Sequence, residues 1–387
     1  MKRTLLLLLL SVSTLWGQFL PDIPDRLSYA AQLNGSSQYF SKTSPVNMDL
    51  NGSELLSDVG FESGRWTAVF NATTSQSTVQ KRTGTYSMLV LATGGSATTR
   101  SPAVTNATTN KFTGEAWVYV PNTNTSKTVR LSITDQGASV INPLTTVSPA
   151  TDTWVKVVVN VQAPGTQTGL TLQVGLSGTS VSGDSLYIDD VSLTQAYDGL
   201  IGLWFYASSI ASNLRLVGRT TAGNNAGFEV FTNSSKFTGF SQAGPAFTGN
   251  AQSQTLTSGR WHFGVAVINR TDSIRVSANG EILTGAVVAT SLGKIVPGTV
   301  FIGSLSGTSQ FWAGNIGELV YVRYTSSPSV AVLNAWIAYA NTQRFIPEPP
   351  GGGTTVLRLF GKENSAYDQS GIQGVLTNTG NTPIIPR

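Results

Sequence analysis

Cysteine is absent from the 387 residues, so disulfide staples, thiol chemistry and a lipid-modified N-terminal cysteine are all excluded. Folding without covalent staples requires domains large enough to bury real hydrophobic cores. Charge is also scarce, with Asp, Glu, Lys and Arg making up 11% of the chain. No lysine- or arginine-rich run with interleaved aromatics occurs, which excludes the usual electrostatic footprint of a nucleic-acid binder. Beyond the first ten residues no apolar run is long enough to cross a bilayer. Histidine occurs once, at His262 between Trp261 and Phe263, where no Ser-His-Asp arrangement can be built on it.

Aromatic residues, by contrast, are plentiful. Eight Trp and sixteen Phe can fill cores, and they sit in a background rich in Ser, Thr, Asn and Gly. That profile belongs to an extracellular all-β protein and not to a disordered one. The length predicts two or three domains. Residues 1–17 read as an export signal: Lys2-Arg3 is the charged start, residues 4–10 the apolar run, and Gly17 a small residue at the cleavage point. The expected location is therefore secreted or cell-surface, and the lack of cysteine points to a bacterial source. The net charge of +4 includes Lys2 and Arg3 from the removable leader.

Short strands at regular spacing predict sandwiches or barrels. Alternation is clear at Leu27, Tyr29, Ala31 and Leu33, across residues 111–120 and 154–161, and across residues 186–193. The strongest hairpin alternates Trp261, Phe263, Val265 and Val267, turns at Asn269-Arg270-Thr271-Asp272, and returns through Ile274, Val276 and Ala278. Asn279-Gly280 predicts a tight turn with two positive φ angles. One helix is predicted from Val330, Leu333, Ile337 and Ala340, with Ser327 as its cap and Pro328 in its first turn. The Pro/Gly stretch 347–353 reads as a linker, and the tail 354–387 is too short for its own core.

Residues 198–346 resemble the laminin-G-like, concanavalin A-like jelly roll in Trp204, the Trp261-His262-Phe263 to Asn279-Gly280-Glu281 hairpin, Phe301-Ile302-Gly303, and Gly314-Asn315-Ile316-Gly317. Leu33-Asn34-Gly35-Ser36-Ser37-Gln38-Tyr39 is similar to the first strand pair of the same fold. Between them, Gly60-Phe61-Glu62, Trp66, Gly84-Thr85-Tyr86-Ser87, Ala116-Trp117-Val118, Thr153-Trp154 and Tyr187-Ile188-Asp189-Asp190-Val191 resemble carbohydrate-binding modules found beside xylanases and cellulases. The expected architecture is all-β: two sandwich jelly rolls, with residues 54–197 nested inside a lectin-like unit of residues 27–53 plus 198–346. Asp368-Gln369-Ser370-Gly371 with Gly374-Val375-Leu376-Thr377 resembles the opening of a further lectin-like domain; the alternative is that the tail adds strands to the preceding sandwich.

The resemblance implies one structural Ca²⁺ held by Glu62 and Asp189, with Asp190 as the alternative ligand and backbone carbonyls completing the shell. The plainer reading is that Asp189 caps backbone amides and Glu62 is solvated. For a saccharide, Glu115, Trp117 and Tyr119 share one face of a strand, Arg130, Ser132 and Thr134 a face of the next, and Thr171 and Gln173 a face of a later one. If these faces form one surface, rings and polar groups suited to a sugar converge; otherwise Trp117 is a core residue. No Glu-x-Asp-x-Glu strand exists, so no glucanase acid and nucleophile can be assigned. The expected function is non-catalytic recognition of an extracellular polysaccharide or glycan; the alternative is a structural surface protein that associates with itself or with other surface proteins.

Overall fold

The computed structural model describes residues 29–37, 39–43, 50–106, 110–135, 139–165, 167–207, 210, 213–218, 227–242, 248–280, 283–288, 299–304, 309–359, 377–379 and 384–386. The proposed leader and the Asp368-Gly371 motif lie outside these residues. Residues 51–196 form two antiparallel sheets. Sheet I orders β12 (Trp154–Gln162), β9 (Lys111–Tyr119), β14 (Ser185–Ala196), β6 (Ser87–Ala92) and β5 (Ala72–Ser77), with β3 (Asn51–Glu54) also on β14. Sheet II orders β11 (Val140–Val147), β10 (Val129–Thr134), β13 (Gln167–Leu176), β7 (Thr98–Arg100) and β4 (Thr67–Phe70), with β8 (Val104–Asn106) also on β13.

The two-residue period of a strand explains how these sheets pack. In β9, Phe112, Ala116 and Val118 are buried in the same core cluster as Leu131 and Ile133 of β10 and Leu172 of β13. Lys111, Thr113, Glu115, Trp117 and Tyr119 alternate with them and occupy the other face of sheet I. In β10 the same rule sends Val129, Leu131 and Ile133 inward and places Arg130, Ser132 and Thr134 on the far side of sheet II.

The remaining strands build a second sandwich. Sheet III orders β22 (Thr284–Val288), β21 (Ser273–Ala278), β20 (Arg260–Ile268), β15 (Asp198–Ala207), β24 (Ala313–Tyr324), β1 (Tyr29–Asn34) and β27 (Ile384–Pro386), with β25 (Thr354–Leu359) also on β24. Sheet IV orders β19 (Thr248–Thr255), β18 (Lys236–Gln242), β17 (Gly227–Asn233), β16 (Leu214–Gly218), β23 (Thr299–Ile302), β2 (Tyr39–Thr43) and β26 (Thr377–Thr379). Sheet III is buried on both faces: Ile201, Leu203 and Phe205 face the core shared with sheet IV, while Leu200 and Trp204 join a second cluster with the helix. The helix, α1 (Val330–Gln343), buries Leu333, Trp336, Ile337 and Ala340 against that outer face.

Asn279 and Gly280 adopt φ values of 55° and 82°, the paired positive angles that their sequence predicts. The helix begins two residues later than expected. Ser329 is its cap, accepting from the Val332 amide, while the Ser327 amide donates to the Asp198 carboxylate.

Strands β1 and β2 pair with β24 and β23, which lie more than 250 residues further along the chain. The ends of the intervening segment meet: the Tyr197 amide donates to the Leu50 carbonyl at 2.9 Å, and Ala196 faces Asn51. Strand β3, whose sequence grouped it with residues 27–53, instead joins sheet I through β14. The tail strands β25, β26 and β27 add to β24, β2 and β1. The described part of the tail therefore extends the second sandwich instead of opening a further domain.

A buried polar network joins the two sandwiches. The Asp198 carboxylate accepts two bonds from Lys111 Nζ, at 2.6 and 2.9 Å, one from the Arg270 amide at 2.9 Å and one from the Ser327 amide at 2.7 Å. Lys111 also reaches Asn269 Oδ1 at 2.8 Å, and the Arg270 guanidinium reaches Thr113 Oγ1 at 2.8 Å. Asp198 and Arg270 are fully buried, so removing one charge strands the others without solvent. Asp198→Ala is expected to destabilise the protein by about 3–5 kcal/mol in denaturant unfolding. A loss below about 1 kcal/mol would show that the network does not hold the sandwiches together.

Candidate functional site

Sheet I does place Glu115, Trp117 and Tyr119 on one face, but each already has partners. The Arg82 guanidinium lies over the Trp117 ring at 3.8 Å, and Lys156 Nζ lies 5.8 Å from the same centroid. Lys156 also pairs with Glu115 at 3.0 Å. Tyr119 packs against Trp154 and Tyr187 at centroid distances of 5.8 and 6.0 Å, as the register Trp154–Tyr119–Tyr187 dictates. Burial, and then the nearby Asp152 carboxylate, push the Tyr119 phenol above its ordinary pKa. Trp117 is thus neither a core residue nor an open ring: it is half-buried under a cation.

Arg130 and Gln173 lie on the opposite side of the sandwich, on the outer face of sheet II, so the five expected ligand residues do not form one surface. Cross-strand register fixes which residues share the sheet II face. One row runs Phe70–Thr98–Gly175–Arg130–Thr146, and the next runs Thr67–Arg100–Gln173–Ser132. At the β4 edge of the first row the Phe70 ring is 57% exposed. Gly175 interrupts that row but opens no gap: it is buried, and a Cβ there would lie 2.2 Å from the Ala97 carbonyl oxygen and 2.7 Å from Thr98, which fill the space over it. Ser132 is fully buried with no partner for its Oγ among the described residues, and Arg100 Nε and Arg130 Nε are likewise buried without one. Gln173 Nε2 donates to Thr98 Oγ1 at 3.2 Å, and Thr134 and Thr171 bond to each other at 2.6 Å. The result is a polar face across five strands, about 19 Å wide by strand spacing, with an exposed aromatic at one edge. Buried donors and acceptors without partners are costly, and a hydroxyl-rich ligand can satisfy them.

Sequence reasoning found Arg130, Ser132, Thr134, Thr171 and Gln173 but missed Phe70, Thr98 and Arg100. Thr98–Arg100 is a three-residue strand, too short to show a period. Phe70 reaches the outer face only through an irregularity between Ala68 and Phe70, which shifts the alternation by one residue.

The expected calcium corner lies at the other end of β14. Asp189 is fully buried, its Oδ2 accepting from the Arg82 and Thr83 amides at 2.8 and 3.2 Å and its Oδ1 from the Asp190 amide at 2.8 Å. Burial pushes its carboxyl above the ordinary value, against the lowering effect of those amides. Glu62 Oε1 accepts from the Thr85 and Tyr86 amides at 2.9 and 3.1 Å, and Gly84 is required there because a Cβ would sit 2.1 Å from that oxygen. Asp190 turns the other way, pairing with the Arg82 guanidinium and accepting from Thr83 Oγ1. Glu62 and Asp189 therefore converge on the loop 82–86, while Asp190 is neutralised by a cation. No group of three or more acidic or histidine side chains is placed for a metal among the described residues.

His262 is buried in β20, with Nδ1 2.8 Å from Asn279 Oδ1 and Nε2 2.7 Å from the Thr257 carbonyl oxygen. Both ring nitrogens are occupied by structure. The contrast between Phe70 and Trp117 generates a test. Phe70→Ala is expected to change stability by less than about 0.5 kcal/mol, whereas Trp117→Ala, which strips the surface on which Arg82 rests, is expected to cost about 1–3 kcal/mol in urea unfolding. Equal losses would show that the Phe70 ring is also held by packing.

A family model described as the concanavalin A-like lectin/glucanases superfamily matches residues 177–331. No curated protein matches the chain. Among solved structures, the CBM22-1 xylan-binding domain of Paenibacillus barcinonensis Xyn10C is similar over 38% of this chain and 96% of that one, at 15% identity and a TM-score of 0.30. The C-terminal family 22 carbohydrate-binding module of Clostridium thermocellum Xyn10B is similar over 35% of this chain and 90% of that one, at 21% identity and a TM-score of 0.29. The binding domain of botulinum neurotoxin DC is similar over 37% of this chain and 35% of that one, at 13% identity and a TM-score of 0.29. The resemblance carried by Trp204, the Trp261–Asn279 hairpin and Phe301-Ile302-Gly303 thus agrees with an independent family match over residues 177–331, and those residues lie in an all-β sandwich architecture.

Proposed function

We propose that this is an exported, non-catalytic glycan-binding protein that holds an extended oligosaccharide against the outer face of sheet II. In this reading residues 54–197 are a carbohydrate-binding module inserted into the lectin-like unit. The observation that carries it is the shared face of Phe70, Thr98, Gly175, Arg130, Arg100, Gln173 and Ser132. It combines an exposed ring with buried polar atoms without partners among the described residues. Rings stack on the C–H faces of sugars, and amide, hydroxyl and guanidinium groups bond their hydroxyls. No helix among the described residues is long and apolar enough to cross a membrane. The family match to a lectin and glucanase superfamily supports sugar recognition as the class of function.

A polysaccharide screen by affinity electrophoresis of residues 18–387 tests this. The Phe70→Ala/Gln173→Ala double variant is expected to bind at least about tenfold more weakly, equivalent to about 1.4 kcal/mol, while keeping its thermal midpoint. The Trp117→Ala/Tyr119→Ala variant examines the opposite face: if it alone loses binding, the site is on sheet I. Failure to bind any glycan, together with elution as a large assembly, would favour the structural surface protein.

We also propose that Glu62 and Asp189 hold a structural Ca²⁺, with backbone carbonyls completing the six to eight oxygens that this ion takes. Chelation is then expected to lower the thermal midpoint. The pH dependence gives a second readout. Without the ion, Asp189 has a folded pKa above its unfolded value of 3.8, so its contribution to stability is fully present below that pH and is lost as pH rises through the folded value. With Ca²⁺ bound the carboxylate is held ionised and the slope over that window reverses. An identical pH profile in Ca²⁺ and in chelator would exclude the ion.

A further inference from the structure

We infer that the outer face of sheet II selects anionic polysaccharides, taking sugar carboxylates on Arg100 and Arg130; this rests on the glycan-binding reading above. The six strands of sheet II carry two ionisable side chains between them, Arg100 and Arg130, and no Asp or Glu. This absence contrasts with sheet I, where Glu115 pairs with Lys156 and Asp190 with Arg82. In the second sandwich too, Arg215 pairs with Glu229 and Arg358 with Glu318. Arg82, Arg215 and Arg358 are each supplied with a carboxylate, whereas neither Arg100 nor Arg130 forms an ion pair with any described residue.

Both side chains are half-buried, and the Nε of each is shut away from solvent without a partner. Such a group loses hydration without compensation, a cost that a carboxylate removes through a charge-assisted, bidentate bond to the guanidinium fork. Register places the two arginines two strands and two residues apart, about 12 Å between Cα atoms by sheet spacing. A single small anion does not span that interval. A polymer bearing a carboxylate on successive sugars does, with a sugar ring against the exposed Phe70 at the β4 edge.

The test compares the full mature chain, residues 18–387, on polygalacturonate and alginate with the esterified form of each, which keeps the backbone and removes the charge. Duplex DNA serves as a polyanion without stackable sugar faces. The expected result is at least about tenfold tighter binding to the acidic member of a pair, weakening as salt rises from about 50 to 200 mM, and no comparable binding to DNA. Arg100→Gln/Arg130→Gln is expected to abolish the preference while leaving the thermal midpoint unchanged. Binding to esterified or neutral glycans without preference for charge would overturn the inference and leave glycan binding standing, as would retention of the preference by the double variant. Equal binding to DNA would reduce the effect to general electrostatics and overturn it as well. No binding to any charged or neutral polysaccharide would remove both readings together.

Discussion

One buried carboxylate holds the two sandwiches in register. Asp198 stands one residue beyond Tyr197, where β14 of one sandwich gives way to β15 of the other, and water does not reach it. Its charge is met by Lys111 from β9, by the amide of Arg270 from the β20–β21 turn and by the amide of Ser327 ahead of α1. Three segments distant in sequence thus converge on one side chain. Two cations and a carboxylate in such a place offer weak net stabilisation but strong selection against other packings, because any displacement leaves a charge stranded. Arg270 shows the tension: burial lowers its pKa to about 10, and the charges of Glu115 and Asp198 oppose the fall.

The contacts of Glu115, which the sequence pattern offers as a sugar ligand, lie beside the same network. Its side chain is buried, paired with Lys156 and close enough to Arg270 to support its charge. From sequence, a carboxylate alternating with Trp117 and Tyr119 reads as part of a recognition surface, since the pattern gives the face of a strand but not what covers it. The partners come from far away: Lys156 is 41 residues on from Glu115, and Arg82 is 35 residues back from Trp117. Periodicity established that β9 has an inner and an outer face; it had no means of showing that the outer face was already filled.

Sheet membership was the other quantity that local pattern could not supply. Strands β9, β12, β20 and β21 are visible in the sequence because their alternation is regular. Which of them pair is a long-range matter, and β9 and β10, consecutive in the pattern, belong to different sheets. That separation puts Trp117 and Arg130 on opposite sides of one core, although both were correctly placed on outward faces. The same limit hid the role of β3: four residues carry no sign that they close against β14 and not against β2.

The adjacent carboxylates Asp189 and Asp190, anomalous in an apolar strand, become intelligible once Arg82 is considered. Its amide caps Asp189, its guanidinium pairs with Asp190, and the same guanidinium lies on Trp117. Asp190 can reach it only because its backbone takes φ 42°, at the irregularity between Asp189 and Ser192 in the pairing with β9. The acidic pair and the aromatic of sheet I are therefore parts of one local device that anchors the 82–86 loop. Sheet II has no counterpart: its arginines are unpaired among the described residues, and Phe70 is open. The proposed ligand therefore belongs on this face, where two guanidiniums lack the carboxylate that Arg82, Arg215 and Arg358 each have.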